Sequence, residues 1–519
     1  MERQARYGVG EQSFEVMRNR ECVYIDKTRY IEDIIKSGGH YFFLGRPRRF
    51  GKSLFLSTLK NFFLGKRELF RGLYADTMDW KWEPYPVLYL DLNVGYYSKP
   101  ENLDERLSAT LRNWEDQYGL EHVDSEPSIR MESIIKNLYE MTGKGVVILV
   151  DEYDKPLVHN LNNPNLFEIF RKKLASFYSN FKSSADYIRL VFLTGVSRFG
   201  HLSIFSGLNN IADISFDDRY SAICGISENE LKENFKEGIA AIARKALKGY
   251  GEIENDLKRW YDGYRFSGNG EDMYNPFSIV SAMDKEEIRN YWIYSGQATL
   301  LANQLIRFNV NLEDIINAKC SLTELMGIDL DNPSPLALLY QTGYLTIKDF
   351  NPKRNIYRLG IPNEEVNEGF LSFLLPYYAN LRNKNSMVLV YNMIDDLNCG
   401  EVDKFMSELT SMFASVSYEM NMGSEQNLHN ALLILMKLMS LEVATEFRTS
   451  NGRIDLFIKT DKYLYIIELK LDKSAREALN QINEKNYALP FAADGRKVIK
   501  IGINFSTKTR TISEWEMEQ

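Results

Sequence analysis

The chain has 519 residues, too many for a single hydrophobic core, and this length predicts three or four domains. Its 44% hydrophobic and 26% charged residues are ordinary for a soluble globular protein, and no repeat or low-complexity segment interrupts the pattern. The formal net charge of −8 argues against a protein that coats nucleic acid generally, although it leaves room for a local basic groove.

The cysteines and the N-terminus give no sign of secretion or of a metal cluster. The four cysteines lie far apart without a CxxC pair or a Cys/His cluster, so neither a zinc site nor a disulfide framework is expected. The first residues have no apolar signal region, and no stretch approaches 18 apolar residues. We therefore expect a cytoplasmic protein with no membrane partner.

The first chemical motif follows an apolar strand at 40–45. A turn over 46–51 leads into Lys52-Ser53 and a helix with apolar residues at helical spacing. In a phosphate-binding loop, backbone N–H groups hold the phosphates, Lys52 would neutralise their charge and the Ser53 hydroxyl would reach Mg²⁺. The usual pattern has Gly where this chain has Arg46, so the loop must accommodate a side chain at that position.

A second motif follows the apolar run 146–150, which is typical of a strand buried on both faces of a parallel sheet. Asp151 and Glu152 emerge at its carboxyl end, where α/β sheets bind ligands. Asp151 would hold Mg²⁺ and Glu152 would act as the general base on water. The plainer interpretation is that Asp151 only caps the following turn.

Further strands are predicted at 87–92 and 188–195, with helices near 101–117, 127–142 and 164–182 and a short fifth strand near 211–216. Thr194 lies at a strand end and could sense the γ-phosphate. Arg198 could be an arginine finger or sensor, or equally an ordinary salt-bridge residue.

These segments resemble the AAA-ATPase-like family over about residues 6–280. The similarity rests on 23–28, 46–53, 151–156 and 193–198 with 207–210, and Arg in place of the first loop Gly is itself common in that family. The resemblance implies an additional-strand P-loop sheet in the order 5-1-4-3-2, and a nucleotide contact from Tyr24 to Thr28. We predict that ATP and its Mg²⁺ are bound by Arg48, Arg49, Phe50, Gly51, Lys52, Ser53, Asp151, Thr194 and Arg198, with Ser53 and Asp151 on the metal.

The middle of the chain is predicted to be mainly helical. Residues 227–262 have charged, helical periodicity typical of a lid on the ATPase core, and 275–277 start another helix. A strand pair at 343–347 and 356–359 follows helices, which suggests a winged-helix domain whose wing would present Lys353 and Arg354 to phosphates. A purely structural domain that relays the ATP state is an equally good interpretation.

The last part of the chain carries a second acidic motif. Strands are predicted at 443–447, around Asp455 and through Glu468-x-Lys470, and alternation along a strand places Glu468 and Lys470 on one face. Two carboxylates and an ammonium suit a Mg²⁺ site better than a core. Glu425, at the start of the helix predicted at 424–441, could be a third acid or an ordinary first-turn Glu.

The succession αβββαβ, with acids on the central hairpin, resembles the PD-(D/E)XK nuclease superfamily over about 424–510. Asp455, Glu468 and Lys470 match its signature, and the resemblance relates Glu425 to the first-helix acid and Gln481 and Tyr487 to the helix after the core. It implies Mg²⁺-dependent phosphodiester cleavage, with Asp455, Glu468 and Lys470 catalytic and Glu425, Asp455 and Glu468 on the metal.

Together these signals predict an α/β multidomain protein. Its parts would be a P-loop, AAA-like parallel sheet (1–226), a helical lid (227–283), a helical and winged-helix region (284–395), a linker (396–423) and a C-terminal α/β restriction-endonuclease-like domain (424–519). The expected function is ATP binding and hydrolysis that controls a Mg²⁺-dependent nuclease on DNA or RNA. The alternatives are a signalling or scaffold NTPase whose last domain only binds nucleic acid or a partner, and a DNA-translocating motor. Homo-oligomerisation stays open.

Overall fold

The structure is a computed structural model of the whole chain. It describes residues 5–198, 211–292, 305, 310, 312–316, 318–327, 334–379, 386–414, 431, 434–435, 442–449, 452–492, 494–509 and 511–519, of which 313, 316, 376–379, 386–387, 442–449 and 452–454 are described by their backbone. These residues fall into two compact units: 1–300 with 315–367, and 301–314 with 368–519. No helix among them combines the length and apolar character needed to cross a bilayer.

The first unit is built on a five-stranded parallel sheet of β1 (Tyr41–Gly45), β2 (Val87–Asp91), β3 (Val146–Asp151), β4 (Ile188–Gly195) and β5 (Ala212–Asp213). The strand order is β2-β3-β4-β1-β5, which confirms the predicted 5-1-4-3-2 arrangement. Every residue of β3 is buried, as expected for an apolar run covered on both faces. All five strands end at one edge of the sheet, where the sequence motifs gather.

Helices cover both faces of this sheet. Their bounds are Phe14–Asn19, Arg29–Lys36, Lys52–Phe63, Glu101–Tyr118, Pro127–Thr142, Lys155–His159 and Pro164–Ser183. Short 3-10 turns lie at Arg67–Phe70, Tyr74–Thr77, Ala185–Tyr187 and Asp218–Tyr220. The Pro164–Ser183 helix buries an aromatic stripe at helical spacing, from Phe167 to Phe181, and so fixes one layer of the core.

The segment predicted as a lid is helical. It forms Glu228–Asn234, Lys236–Ala246, Tyr250–Tyr261 and Pro276–Lys285. Ser227 and Glu230 make a capping box that starts the first of these helices, and Asn275 caps the last. A separate cluster of buried residues, including Ile239, Leu257 and Ile279, holds the four helices together.

The predicted wing hairpin is present as β7 (Thr346–Asn351) and β8 (Ile356–Gly360). A third strand, β6 (Lys319–Ser321), pairs with β8, so the sheet order is β6-β8-β7. Helices Leu312–Ile316, Leu322–Met326 and Pro335–Thr342 complete the region. A three-residue strand has too little alternation to be recognised in a sequence, which is why β6 was not predicted.

The second unit contains a mixed five-stranded sheet of β9 (Glu442–Thr449), β10 (Gly452–Lys459), β11 (Tyr463–Leu471), β12 (Lys497–Ser506) and β13 (Thr511–Glu518), in the order β13-β12-β11-β10-β9. Strands β11 and β12 are parallel and are joined through helix Ala475–Glu484 and the short turn Leu489–Phe491. The sequence prediction ended with β12. The edge strand β13 was missed because its TISEWEME segment is mostly exposed and carries three glutamates.

The second unit also contains most of the helix Glu364–Ala379 and the helices Ser386–Cys399 and Val402–Ala414. The last of these occupies part of the segment predicted as a linker. It packs on the sheet through Phe413, whose ring lies 5.6 Å from that of Phe505. Residues 415–430, including Glu425, lie outside the described residues.

Candidate functional sites

The phosphate-binding loop joins β1 to the Lys52–Phe63 helix. Gly51 is the N-cap of that helix with a φ of 95°, a left-handed conformation that glycine adopts without strain. Arg49 also has a positive φ, of 64°. The Lys52 side chain is 3% exposed, and its Nζ donates to the carbonyl oxygens of Arg46 (2.9 Å) and Pro47 (3.1 Å). The loop is therefore curled around the lysine amine.

The structure shows how Arg46 fits the position where the motif usually has glycine. Its side chain is directed out of the back of the loop and is 2% exposed. The guanidinium donates to the carbonyl oxygens of Gly45, Ser215 and Tyr220 at 2.8–3.0 Å and lies 4.3 Å from the centre of the Phe266 ring. The loop tolerates the arginine because its side chain takes no space on the ligand side.

The acidic motif at the end of β3 is assembled against the same helix. The Ser53 hydroxyl and the Thr194 Oγ1 both hydrogen-bond to the Asp151 carboxylate, the latter at 2.6 Å, and the Tyr89 hydroxyl lies 3.3 Å from it. Burial, followed by the charge of Glu152, raises the pKa of Asp151. This excess of buried negative charge beside a hydroxyl fits a Mg²⁺ ion.

Glu152 lies beside the loop lysine. Its carboxylate Oε1 is 3.3 Å from Lys52 Nζ, and its φ of 52° is unusual for a residue with a side chain. Such conformations cluster at active sites because the surrounding structure has to enforce them. The next acid, Asp154, is buried and accepts from the Ser197 N–H and hydroxyl at 2.6 Å, which ties the β3 and β4 ends together.

A cavity of about 310 Å³ opens over these residues. Of the predicted nucleotide contacts, Arg48, Arg49, Gly51, Lys52 and Ser53 line it, together with Glu152. The remaining lining was not predicted: Gly8, Gly10, Glu11, Gln12, Met17, Leu54, Asn93, Lys155, Pro276, Phe277 and Val280. The lining carries four cations (Arg48, Arg49, Lys52 and Lys155) and two carboxylates (Glu11 and Glu152), and this excess of positive charge suits a polyphosphate. The apolar wall of 276–280 suits a nucleotide base.

Several predicted contacts lie elsewhere. The Phe50 side chain packs on Tyr264 (4.6 Å) and Phe266 (5.2 Å), so it anchors the loop rather than facing the cavity. Asp151 and Thr194 do not line the cavity, and the Asp151 carboxylate accepts from the hydroxyls of both Ser53 and Thr194. Arg198 is 7% exposed, pairs with Asp213 and lies 5.0 Å from the Phe216 ring. The structure therefore does not bring Arg198 to the cavity.

The segment from Tyr24 to Thr28 also uses its polar groups elsewhere. Tyr24 bonds to Thr58 at 3.2 Å, and the Lys27 Nζ bonds to both carboxylate oxygens of Glu230 at 2.6 and 2.7 Å. Among the described residues that line the cavity, the N-terminal contribution comes from 8–17 instead. In the sequence, Gly8 and Gly10 were the only signal that this segment approaches the cavity, and two isolated glycines are weak evidence for such a contact.

The second site lies on the β10–β11 hairpin. Leu456 pairs with Ile467, so Asp455 is opposite Glu468 as predicted, and its Oδ2 accepts from the Leu469 N–H at 2.9 Å. The Lys470 Nζ donates to Glu468 Oε1 at 3.0 Å. The structure therefore brings together the three residues that the sequence spacing predicts to converge.

The helix Ala475–Glu484 completes the site. Gln481 accepts from Lys470 Nζ at 2.7 Å, donates to Glu468 Oε1 and lies 3.4 Å from the Tyr487 hydroxyl. Glu468 is 1% exposed, and its Oε2 has no hydrogen-bond partner among the described residues. Burial and the neighbouring Asp455 raise the pKa of Glu468 to about 7.

These properties fit a divalent cation. A buried carboxylate oxygen without a partner, next to a second carboxylate, is the donor set that Mg²⁺ prefers. Within the described ranges no cluster of three or more potential ligands occurs, and the predicted third ligand Glu425 lies outside them. Asp455 and Glu468 are thus the two described acids at this place that could hold such an ion.

The folds and sites define a P-loop protein of the AAA type joined to a nuclease-type domain. Residues 7–205 match the family described as a predicted AAA-ATPase, and 423–515 match the PD-(D/E)XK nuclease superfamily. A relative from Azotobacter chroococcum mcd 1, named only as an uncharacterized protein in the vnfD 5'region, is 33% identical over 528 residues, covering 98% of each chain. The chain belongs to the AAA-ATPase-like family and carries a C-terminal PD-(D/E)XK nuclease superfamily domain.

A solved structure, that of the ORC2 protein of Aeropyrum pernix in ADPNP and ADP complexes, is also similar. The sequence identity is 12% and the TM-score 0.26, with 70% of this chain and 93% of that chain covered.

Proposed function

We propose that this protein binds and hydrolyses ATP with Mg²⁺, and that the ATP cycle controls a Mg²⁺-dependent phosphodiesterase that cuts DNA or RNA. The observation that carries the proposal is the presence of two assembled acid–lysine sites in one chain. One consists of Lys52, Ser53, Asp151 and Glu152, and the other of Asp455, Glu468 and Lys470.

In the first site Lys52 is the residue that must change partners. Its amine is held by two loop carbonyls and by Glu152, and a triphosphate in the cavity would replace those contacts. Glu152 would then be free to orient water for attack on the γ-phosphate. Ser53 and Asp151 would hold the Mg²⁺ ion, which offsets charge on the phosphates when bound.

In the second site Asp455 and Glu468 would hold Mg²⁺, which would supply Lewis-acid activation of water and of the phosphate. Lys470 would position the attacking water or a phosphate oxygen. Gln481 bonds to both Lys470 and Glu468, so it fixes the direction of both side chains. Such support from outside the ligand set is needed for accurate geometry.

The ATPase half is tested by steady-state hydrolysis with the Glu152→Gln variant, which keeps the shape but removes the base. We expect turnover to fall by about 100-fold or more while ATP binding is retained. Lys52→Ala should abolish binding as well. Unchanged turnover in Glu152→Gln would contradict the assignment of Glu152.

The nuclease half is tested with plasmid and single-stranded substrates in Mg²⁺ or Mn²⁺, with and without ATP. Cleavage should disappear in Asp455→Ala and in Lys470→Ala. The Lys462→Ala variant, altered in the turn of the same hairpin, is the matched control and should retain the parent activity. Cleavage that survives both site variants would identify a contaminating nuclease and refute the proposal.

The alternative is a signalling or scaffold NTPase whose last domain binds nucleic acid or a partner without cutting it. It predicts that calorimetry detects no Mg²⁺ or Mn²⁺ binding that depends on Asp455 and Glu468. Metal binding lost in Asp455→Ala favours the nuclease, because a binding module has no need of a partnerless buried carboxylate oxygen.

A further inference from the structure

We infer that the three-stranded sheet β6-β8-β7 binds the phosphate backbone of a nucleic-acid duplex without reading its sequence. This inference rests on the proposed nuclease function and specifies how its substrate is held. It depends on three observations: the charges on the sheet and its turn, the geometry of that turn, and the burial of the helix beside the sheet.

Two exposed cations lie on one face of this sheet, here called its outer face, and two more lie in its turn. Lys319 and Arg358 are direct partners in the β6–β8 register, and Lys353 and Arg354 lie in the β7–β8 turn. In the part of the chain that the structure describes, none of the four forms a salt bridge with a carboxylate. The nearest acid by register is the exposed Asp349, opposite Arg358. Exposed cations grouped on a sheet and its turn without a salt-bridge partner are suited to phosphates, which displace only water and counterions there.

Hydrogen bonds to the Asn351 side chain order the backbone of the turn that carries two of these cations. The Asn351 side chain accepts from the N–H groups of Lys353 (3.1 Å) and Arg354 (3.2 Å), and Asn355 closes the turn with a φ of 51°. Asn side chains stabilise turns in this way. A turn that is already ordered loses less conformational entropy when it binds.

The helix that would enter a major groove in a sequence-reading winged helix is not accessible. In the Pro335–Thr342 helix, Tyr340 stacks on Phe216 at 5.6 Å and Gln341 accepts from the Arg198 N–H at 2.9 Å. The following Gly343 has a φ of 91°, and a Cβ there would lie 2.8 Å from Pro47 Cβ. The helix is buried against the ATPase core, so in this region the sheet and its turn are the parts available to nucleic acid.

The chemistry of the outer face favours a duplex over unpaired bases. The aromatic residues of this sheet, Phe350 and Tyr357, stack on each other at 4.5 Å, and Phe350 packs against Gly268 of the lid region. They are therefore not presented for base stacking, on which single-strand binding depends. Phosphate contacts alone position a duplex and carry no direct sequence information.

The test is fluorescence anisotropy of the full chain in EDTA, with labelled DNA duplexes of two permuted sequences, an RNA duplex and a single strand. The variant is Lys319→Gln/Lys353→Gln/Arg354→Gln/Arg358→Gln. We expect the slope of log Kd against log salt to fall by about 3–4, equally for both DNA sequences. The RNA duplex shows whether the backbone recognised is that of DNA, RNA or both.

The matched control is Arg112→Gln/Lys182→Gln, which removes two exposed cations on other helices of the same unit and should leave the slope unchanged. An unchanged affinity and slope in the quadruple variant would overturn the inference, as would tighter binding to the single strand than to either duplex. Duplex binding that depends on these four residues in a chain that cleaves nothing would refute the nuclease and leave this inference standing. Cleavage by the parent chain, together with unaltered duplex binding in the quadruple variant, would support the nuclease and overturn this inference.

Discussion

At the scale of single residues, the clearest result is how one arginine fits a glycine position. The sequence indicated only that Arg46 departs from the motif. The direction of its side chain depends on carbonyl groups about 170 residues later in the chain, at Ser215 and Tyr220. No local sequence pattern encodes contacts over such a distance. The loop could therefore be predicted from the sequence, but the hydrogen bonds that hold the Arg46 side chain could not.

Arg46→Gly would restore the common motif and should nevertheless destabilise the protein. It removes a buried guanidinium and leaves several carbonyl oxygens without their donor, a loss of about 2–4 kcal/mol. Thermal or urea unfolding of the full chain measures this. Arg71→Gly, in an exposed loop, is the control and should change little. A variant as stable as the parent would contradict the structural role assigned to Arg46.

Asp262 provides a pH-dependent prediction. It is 6% exposed, its Oδ1 has no hydrogen-bond partner among the described residues, and burial raises its pKa to about 6. The nearby acids Asp272 and Glu228 raise this pKa, while Lys258 lowers it. The folded protein therefore holds the Asp262 proton more tightly than the unfolded chain does. This residue's contribution to stability is complete below about pH 4 and is lost as the pH rises to about 6.

Asp262→Asn is neutral at every pH and should be more stable than the parent at pH 7–8, by about 1–3 kcal/mol. The difference should shrink to zero near pH 4. Urea unfolding at several pH values measures it, with the exposed Asp124→Asn as control. A difference that does not depend on pH would show that Asp262 is not the titrating group.

At the scale of elements, the second site depends on how closely a helix approaches a sheet. Gly502 on β12 is paired with Glu468 on β11. A Cβ at Gly502 would clash with the carbonyl oxygen of Ala475 and lie 2.9 Å from the Leu479 N. The glycine therefore allows the Ala475–Glu484 helix to bring Gln481 to the acids.

Gly502→Ala should displace that helix and lower metal-dependent cleavage at least tenfold, since a small misplacement of a positioning group is costly. ATP hydrolysis should be unaffected. Gly251→Ala, at a helical position with open space, is the control and should be neutral or slightly stabilising. Full cleavage activity in Gly502→Ala would show that the helix can shift without harm.

Elements with strong alternation or long apolar runs were predictable. The strands that carry Asp151 and Glu468 were correctly predicted because burial imposes a pattern on them. The strand β13 and the three-residue β6 were not, since an exposed edge strand can be charged and a short strand has no period. The cavity wall from 8–17 and 276–280 was also missed, because tertiary packing alone brings these segments together.

At the scale of the whole molecule, each described unit carries one of the two sites. A ligand stabilises the part of a protein that binds it. ATP with Mg²⁺ at 100 times its Kd should therefore raise the stability of the first unit by about 3 kcal/mol.

Differential scanning calorimetry of the full chain measures this as a shift of one transition with the other unmoved. Lys52→Ala should abolish the shift, and Asp455→Ala should preserve it. A shift of both transitions by the same amount would show instead that the chain unfolds as a single cooperative body.

The cavity wall formed by the lid region is joined to the phosphate-binding loop at more than one point. The Phe277 ring lies 4.7 Å from the Arg49 guanidinium. Phe266, also in the lid region, packs on Phe50 and lies 4.3 Å from the Arg46 guanidinium. Because these contacts join the loop to the lid region, we expect a denaturant that unfolds the lid helices to disrupt the cavity in the same transition.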